Sequence, residues 1–220
     1  MSVRISSDGR PPSREDAALA PTAAEVARPP AEVRDLLVPP ALLADLRAAL
    51  AAEPGLNARH LTYCTGYEWA LRAMVRLGQR LRDQLGQRDF DLSQMDAKVV
   101  LEAWWAPLAA GGWGAGRFFP AGPGLVVAEL DGSAALGGEP GPAGEPACDL
   151  YAGLVAGALS FSTRAERHAV EVQCAALGHG RCCFVAGHRA LIAPCENWRR
   201  EKLADDEIRR RVATLTHAAA

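Results

Sequence analysis

Helical and strand periodicities alternate along this sequence, which predicts an α+β fold: a single domain with an antiparallel sheet packed against helices. Three observations carry the prediction. Apolar residues recur at helical spacing in 40–52, 66–86, 93–108 and 148–162. Strand-like runs at 113–119 and 124–130, and again at 168–176 and 181–186, flank turns containing Pro or Gly, as hairpins do. The 220 residues are 49% hydrophobic, enough for one proper core and too few for two full domains.

Residues 1–38 carry Pro11, Pro12, Pro21, Pro29 and Pro30 among scattered alanines and charges, a composition that builds no core of its own and reads as a disordered leader. The leader has no apolar segment of signal-peptide type. The domain is expected over 39–195. Its first helix, 40–52, stops at Pro54-Gly55. The second, 66–86, has Trp69, Ala70, Ala73, Met74, Leu77, Leu81 and Leu85 on one face and Arg72, Arg76, Arg80 and Arg82 on the other, a stripe that usually means core.

Ser93 is the expected cap of a third helix through Val99, Val100, Trp104 and Leu108, ended by Gly111-Gly112. A hairpin follows, turning between Pro120 and Pro123. The stretch 137–146 is dense in Gly and Pro and reads as a flexible loop, either a lid over a pocket or a tolerated insertion. The helix 148–162 places Gly153 and Gly157 where another element can approach closely, and the last hairpin turns at Gly178-His179-Gly180. Residues 196–220 are expected to form a charged helix, lying on the surface, and a tail.

Lys+Arg of 24 against Asp+Glu of 26 gives a net charge of −2, so no basic surplus calls for nucleic acid. No apolar run reaches membrane-spanning length. Without an export signal the protein is expected in the cytoplasm, with its six cysteines reduced. Cys148, Glu171, Cys174 and Cys182 offer three thiolates and a carboxylate, a donor set that zinc accepts. A hairpin would bring Cys174 and Cys182 together, with Cys148 arriving from the start of the preceding helix.

Strict alternation opposes this, because Glu171 and Cys174, three apart, would face opposite sides of a strand. A bulge or a curl near Cys174 is required. The same alternation sends Cys182 and Phe184 to one face and Cys183 to the other. Spacing alone is equally compatible with a zinc site and with four separate core or surface residues. Trp104, Trp105, Trp113, Phe118, Phe119 and Tyr151 would suit the wall of an apolar ligand cavity or ordinary core packing. His179 would sit beside the metal or simply in solvent. Cys64 and Cys195 have no partner at metal spacing.

The run Cys148-Asp-Leu-Tyr-Ala-Gly-Leu-Val-Ala-Gly, followed by Val170-Glu171-Val-Gln-Cys174-Ala-Ala-Leu-Gly178-His-Gly-Arg-Cys182-Cys-Phe184, resembles the 4-vinyl reductase domain family, of bacterial proteins among others. It is most similar in flavour to the sensor module of phenol- and xylene-responsive activators, in which three Cys and one Glu bind a zinc that braces an aromatic-binding pocket. The fold is shared with subunits of the transport-particle (TRAPP) tethering complexes. The resemblance implies zinc on Cys148, Glu171, Cys174 and Cys182, a small hydrophobic or aromatic ligand, and a homodimer; Trp104, Trp105 and Trp113 are the candidates to touch that ligand from their residue type alone, not from the resemblance. No G-x-x-x-x-G-K-[ST] is present, so the ATPase part of those activators is not expected here. No dinucleotide fingerprint and no nucleophile–base pair supplies a reaction, which points to a non-catalytic binding or sensing module. An accessory or carrier protein for tetrapyrroles, as in bacteriochlorophyll synthesis, and a protein-tethering subunit are the alternatives.

Overall fold

The computed structural model describes residues 39–133, 147–201 and 203–217, so the leader 1–38 and the whole Gly/Pro-rich loop 137–146 lie outside the described residues. Helices α1 (Pro40–Ala52), α2 (Ala58–Leu85) and α3 (Ala97–Ala110) precede the hairpin β1 (Ala115–Gly122) and β2 (Leu125–Asp131). Helix α4 (Asp149–Thr163) leads into a second hairpin, β3 (His168–Gln173) and β4 (Cys182–Gly187). The chain then continues as α5 (Arg189–Ile192), a 3-10 turn (Ala193–Asn197), α6 (Trp198–Glu201) and α7 (Asp205–His217). The four strands form one antiparallel sheet in the order β1-β2-β4-β3, the α+β architecture that the periodicities predict.

One sheet face carries α2, α3 and α4. Helix α4 is buried almost along its whole length, and its glycines explain how. A Cβ added at Gly153 would lie 2.1 Å from the Tyr63 carbonyl oxygen, and one at Gly157 would lie 2.3 Å from that of Tyr67. The backbones of α2 and α4 therefore touch, an approach open only to residues without a Cβ. Gly66 meets the Leu150 carbonyl in the same way from α2.

Several boundaries differ from the sequence expectation. Helix α2 begins eight residues earlier than 66, because the Asn57 side chain accepts from His60 N and caps it there. Its buried line is Gly66, Ala70, Met74 and Gly78, while Trp69 and Leu85 lie 38% and 52% exposed at the margins. Ser93 does not cap α3. It sits in a 3-10 turn with its hydroxyl donating to Asp91, and Asp96 is the cap, accepting from Lys98 N and Val99 N.

The C-terminal segment differs most. It is broken into short pieces, and its last helix is not a surface appendage: Ile208 and Val212 are fully buried on the second sheet face with Leu125, Val127, Val185 and Trp198. In α7 these two positions are one turn apart among charged residues, so a narrow apolar seam suffices to dock it.

Candidate metal centre

Residues 171–174 settle how the two ends of the second hairpin meet. In the β3–β4 ladder Glu171 pairs with Phe184 and Gln173 with Cys183, leaving Val172 as an extra residue. This bulge is the irregularity that alternation demands. Val172 packs in the second core and the Gln173 side chain donates to Leu203 O on that same side, so Cys174 returns to the face of Glu171. Beyond it, the 3-10 turn Ala175–Leu177 and Gly178 at φ +85° reverse the chain toward Cys182.

Cys148, Glu171, Cys174 and Cys182 thereby converge, with one ligand atom from each lying within 4.8 Å of all the others. The three cysteines have no exposed surface and Glu171 is 6% exposed. Cys148 Sγ is 3.4 Å from Cys182 Sγ, Ala175 N donates to Cys182 Sγ at 3.5 Å, and Ser133 Oγ lies 3.9 Å from Cys148 Sγ. Cys183 points to the opposite face of the sheet, among Val185 and Ile192.

The electrostatics of this group are unbalanced. Both carboxylate oxygens of Glu171 are buried without a hydrogen-bond partner among the described residues. Burial, with the negative Cys174 sulfur added to it, raises the Glu171 carboxyl well above its ordinary range. Hydrogen bonds with Cys174 and Cys182, with burial behind them, push the Cys148 thiol up, while the same bonds from Cys148 and Cys182 hold Cys174 far down. Four potential anions thus share a buried site with no ion-paired cation among the described residues. A cation is the component that the chemistry lacks, and three thiols with a carboxylate can hold a metal ion.

The aromatic residues assemble only in part. Trp104 and Trp105 meet edge to face with ring centres 5.5 Å apart, and Trp105 continues to Phe118 at 6.1 Å and Tyr151 at 6.0 Å. Trp113 packs on Tyr151 at 5.9 Å, and Trp105 Nε1 donates to Gly114 O. Phe119 is not in this group: it faces the second core, under the Arg209 guanidinium. The cavity lined by Trp105, Phe118, Tyr151 and Phe184 holds about 10 Å³. A larger cleft of about 330 Å³ opens between α2, α4 and the edge strand β3, walled by Arg59, Tyr63, Asp149, Ala152, Val170 and Glu196 among others.

A second charged cluster escaped the sequence reading. Glu129, 2% exposed in β2, accepts from Arg181 and Arg209 at 2.7 Å each and pairs with Arg117 at 3.2 Å. The available signal was a single carboxylate inside the apolar run Leu-Val-Val-Ala-Glu-Leu. Cys64 approaches His60 Nε2 at 3.5 Å on the exposed side of α2, and Cys195 is buried in the second core.

Residues 132–188 match the V4R domain model, a stretch that contains all four members of the sulfur–carboxylate cluster. This bears out the resemblance to the 4-vinyl reductase domain family. In fold, the chain is similar to the crystal structure of the phenol-responsive sensory domain of the transcription activator PoxR with phenol, at TM-score 0.55 and 19% identity, covering 82% of this chain and 84% of that one. It also matches trafficking protein particle complex subunit 3 from Naegleria fowleri, covalently bound to palmitic acid, at TM-score 0.49 and 11% identity, covering 67% of this chain and 93% of that one. Among curated proteins no sequence match is found. Among the described residues no helix is long and apolar enough to cross a membrane.

Proposed function

We propose that this chain is a zinc-stabilised, non-catalytic module that binds a small hydrophobic or aromatic molecule, acting in the cytoplasm as a homodimer. The observation that carries it is the buried, unpartnered Glu171 carboxylate enclosed by three buried sulfurs. Zinc fits that donor set. A tetrahedral Zn–S length of about 2.3 Å implies sulfurs about 3.8 Å apart, and Cys148 and Cys182 already stand at 3.4 Å. Four protein ligands close the site, so zinc would supply a cross-link between helix and hairpin rather than a position for substrate. Cys148 ties α4, Glu171 ties β3, and Cys174 and Cys182 tie the two sides of the last turn.

Binding of an aromatic molecule is the reading favoured by the V4R match and by likeness to a phenol-responsive domain. We place it against Trp105, with Trp104 and Trp113 supporting the wall. A cavity of about 10 Å³ is far below the roughly 150 Å³ that holds benzene in an engineered protein core, so Trp105 or Tyr151 must move to admit a ring. Binding then includes an opening cost, and the apparent affinity falls by the fraction of open molecules. The 330 Å³ cleft favours a second reading, in which the ligand is more polar and lies along Tyr63 and β3.

Two measurements test this. Elemental analysis of untagged protein is expected to give about one zinc per chain; no metal would sink the site. Titration with phenol, followed by tryptophan emission and amide chemical shifts, is expected to saturate with shifts around Trp105 and to be weakened at least about tenfold by Trp105→Phe. Shifts confined to Ala152, Ala169 and Val170 would move the site to the cleft. Sedimentation at several concentrations tests the dimer.

A further inference from the structure

The turn that carries Cys174 is held by a residue outside the proposed ligand set. The Cys174 carbonyl accepts from Leu177 N at 3.0 Å and from His179 N at 3.3 Å. The His179 ring folds back over the same residue: Cys174 N donates to Nδ1 at 3.3 Å, and Nδ1 lies 3.0 Å from Cys174 O. One ring nitrogen thus lies within hydrogen-bonding distance of both backbone polar groups that flank the Cys174 side chain, accepting from the N–H or donating to the carbonyl according to its tautomer. The reversal that lets it do so is made by Gly178 at φ +85°.

Whichever of these two bonds Nδ1 makes, the other ring nitrogen needs a partner of its own. Here that nitrogen, Nε2, is buried and has no hydrogen-bond partner among the described residues. A buried polar atom without a partner opposes folding, so the turn keeps His179 against a local cost. Asn or Ser would serve an ordinary turn without one. Beside it stands the sulfur–carboxylate cluster, and Cys174, the residue whose backbone the ring holds, is one of its four members.

We infer that His179 is a positioning residue of the metal centre, clamping the Cys174 backbone through Nδ1 so that Cys174 Sγ is held ready among the other three ligands. The inference rests on the metal reading of the cluster. It assigns His179 no contact with the ion; the residue acts through Cys174.

The test compares wild type, H179A and H179N, each stripped of metal and titrated with Co(II), read by the thiolate charge-transfer and d–d absorption bands, then with Zn(II) in competition. H179A is expected to bind about 10- to 100-fold more weakly, the range typical of lost outer-shell partners, with a shifted d–d envelope. H179N, which restores an acceptor for Cys174 N, is expected to recover most of the affinity. The melting temperature should fall more in the loaded protein than in the metal-free one. Wild-type affinity and spectrum in H179A would overturn the assignment, as would equal losses of melting temperature in both forms with unchanged affinity. Should H179A not fold, H179F fills the same volume without an acceptor and carries the same expectation. Wild type that takes up neither ion overturns the metal reading and this one together, whereas normal uptake by wild type and H179A alike overturns only this one.

Discussion

Glu129 and Glu171 are the same residue type in neighbouring parts of one sheet, both more than nine-tenths buried, yet they live by different means. Glu129, on the face covered by α7, receives Arg181, Arg209 and Arg117, all supplied by the chain. Glu171, on the face covered by α4, meets three cysteine sulfurs and pairs with no cation among the described residues. A carboxylate removed from water needs a counter-charge or must stay protonated. At Glu129 folding provides that charge. At Glu171 the described residues provide none, so the first site is complete by itself, whereas a metal ion bound at the second would make stability depend on it.

The widest separation between the two should come from Cys174→Ser. It is expected to abolish stoichiometric zinc and to lower the melting temperature by on the order of 10 °C or more, since metal binding and folding are coupled and about 1 kcal/mol corresponds to about 2–4 °C at this size. Full zinc content with an unchanged melting temperature would show that the cluster is not the metal site.

Glu129→Ala comes next. It takes a shared carboxylate from three guanidinium groups, but Arg117 keeps Asp131 and Arg181 keeps Asp131 and Asp205, and all three are 28% to 51% exposed, so the loss should be below that of a fully buried pair, about 2–3 kcal/mol. Zinc per chain should stay at the wild-type value. A variant that loses metal as well would mean that the two faces of the sheet are energetically coupled, contrary to the contrast drawn above.

Glu171→Gln sharpens the comparison by its sign. In zinc-loaded protein it should weaken metal binding by about 100-fold, or about 2.7 kcal/mol. In metal-free protein it should be neutral or stabilising by up to about 1 kcal/mol, because it removes a carboxyl that burial has already pushed far toward its protonated form. Denaturant unfolding with and without chelator reads both; equal destabilisation in the two forms would refute the idea that Glu171 waits for a cation.

Arg209→Ala should have the smallest effect. It removes one of three partners of Glu129 and the guanidinium over Phe119, from a side chain that is 45% exposed, and should cost about 1 kcal/mol or less. The cost should shrink as salt rises from 0.1 to 1 M. Loss of α7 docking in this variant would instead give Arg209 the role here assigned to Ile208 and Val212.

Much of the sulfur–carboxylate cluster is legible in the chain itself. The donor types, the Gly178 turn and the need for a bulge between Glu171 and Cys174 all follow from period-two geometry, and the bulge lies at Val172. Gly153 and Gly157 announced the helix contact because a glycine in a helix interior has to have a reason. Caps were less legible: Ser93 and Asp96 are both good caps, and the choice depends on a 3-10 turn that no short-range pattern fixes. The role of His179 was visible only as proximity, since its two contacts to Cys174 depend on how the turn closes.

From sequence alone come the fold class, the run of elements from α1 to β4, and the four residues whose sulfurs and carboxylate converge, because each rests on spacings of a few residues that backbone geometry converts directly into faces. Only the tertiary structure decided that α7 belongs to the core, that Arg117, Arg181 and Arg209 converge on Glu129 across as many as 80 residues of chain, and that Trp105 closes over a cavity of about 10 Å³. Those outcomes are set by packing and by charges that must find partners once water is gone. Neither leaves a periodic trace in the chain.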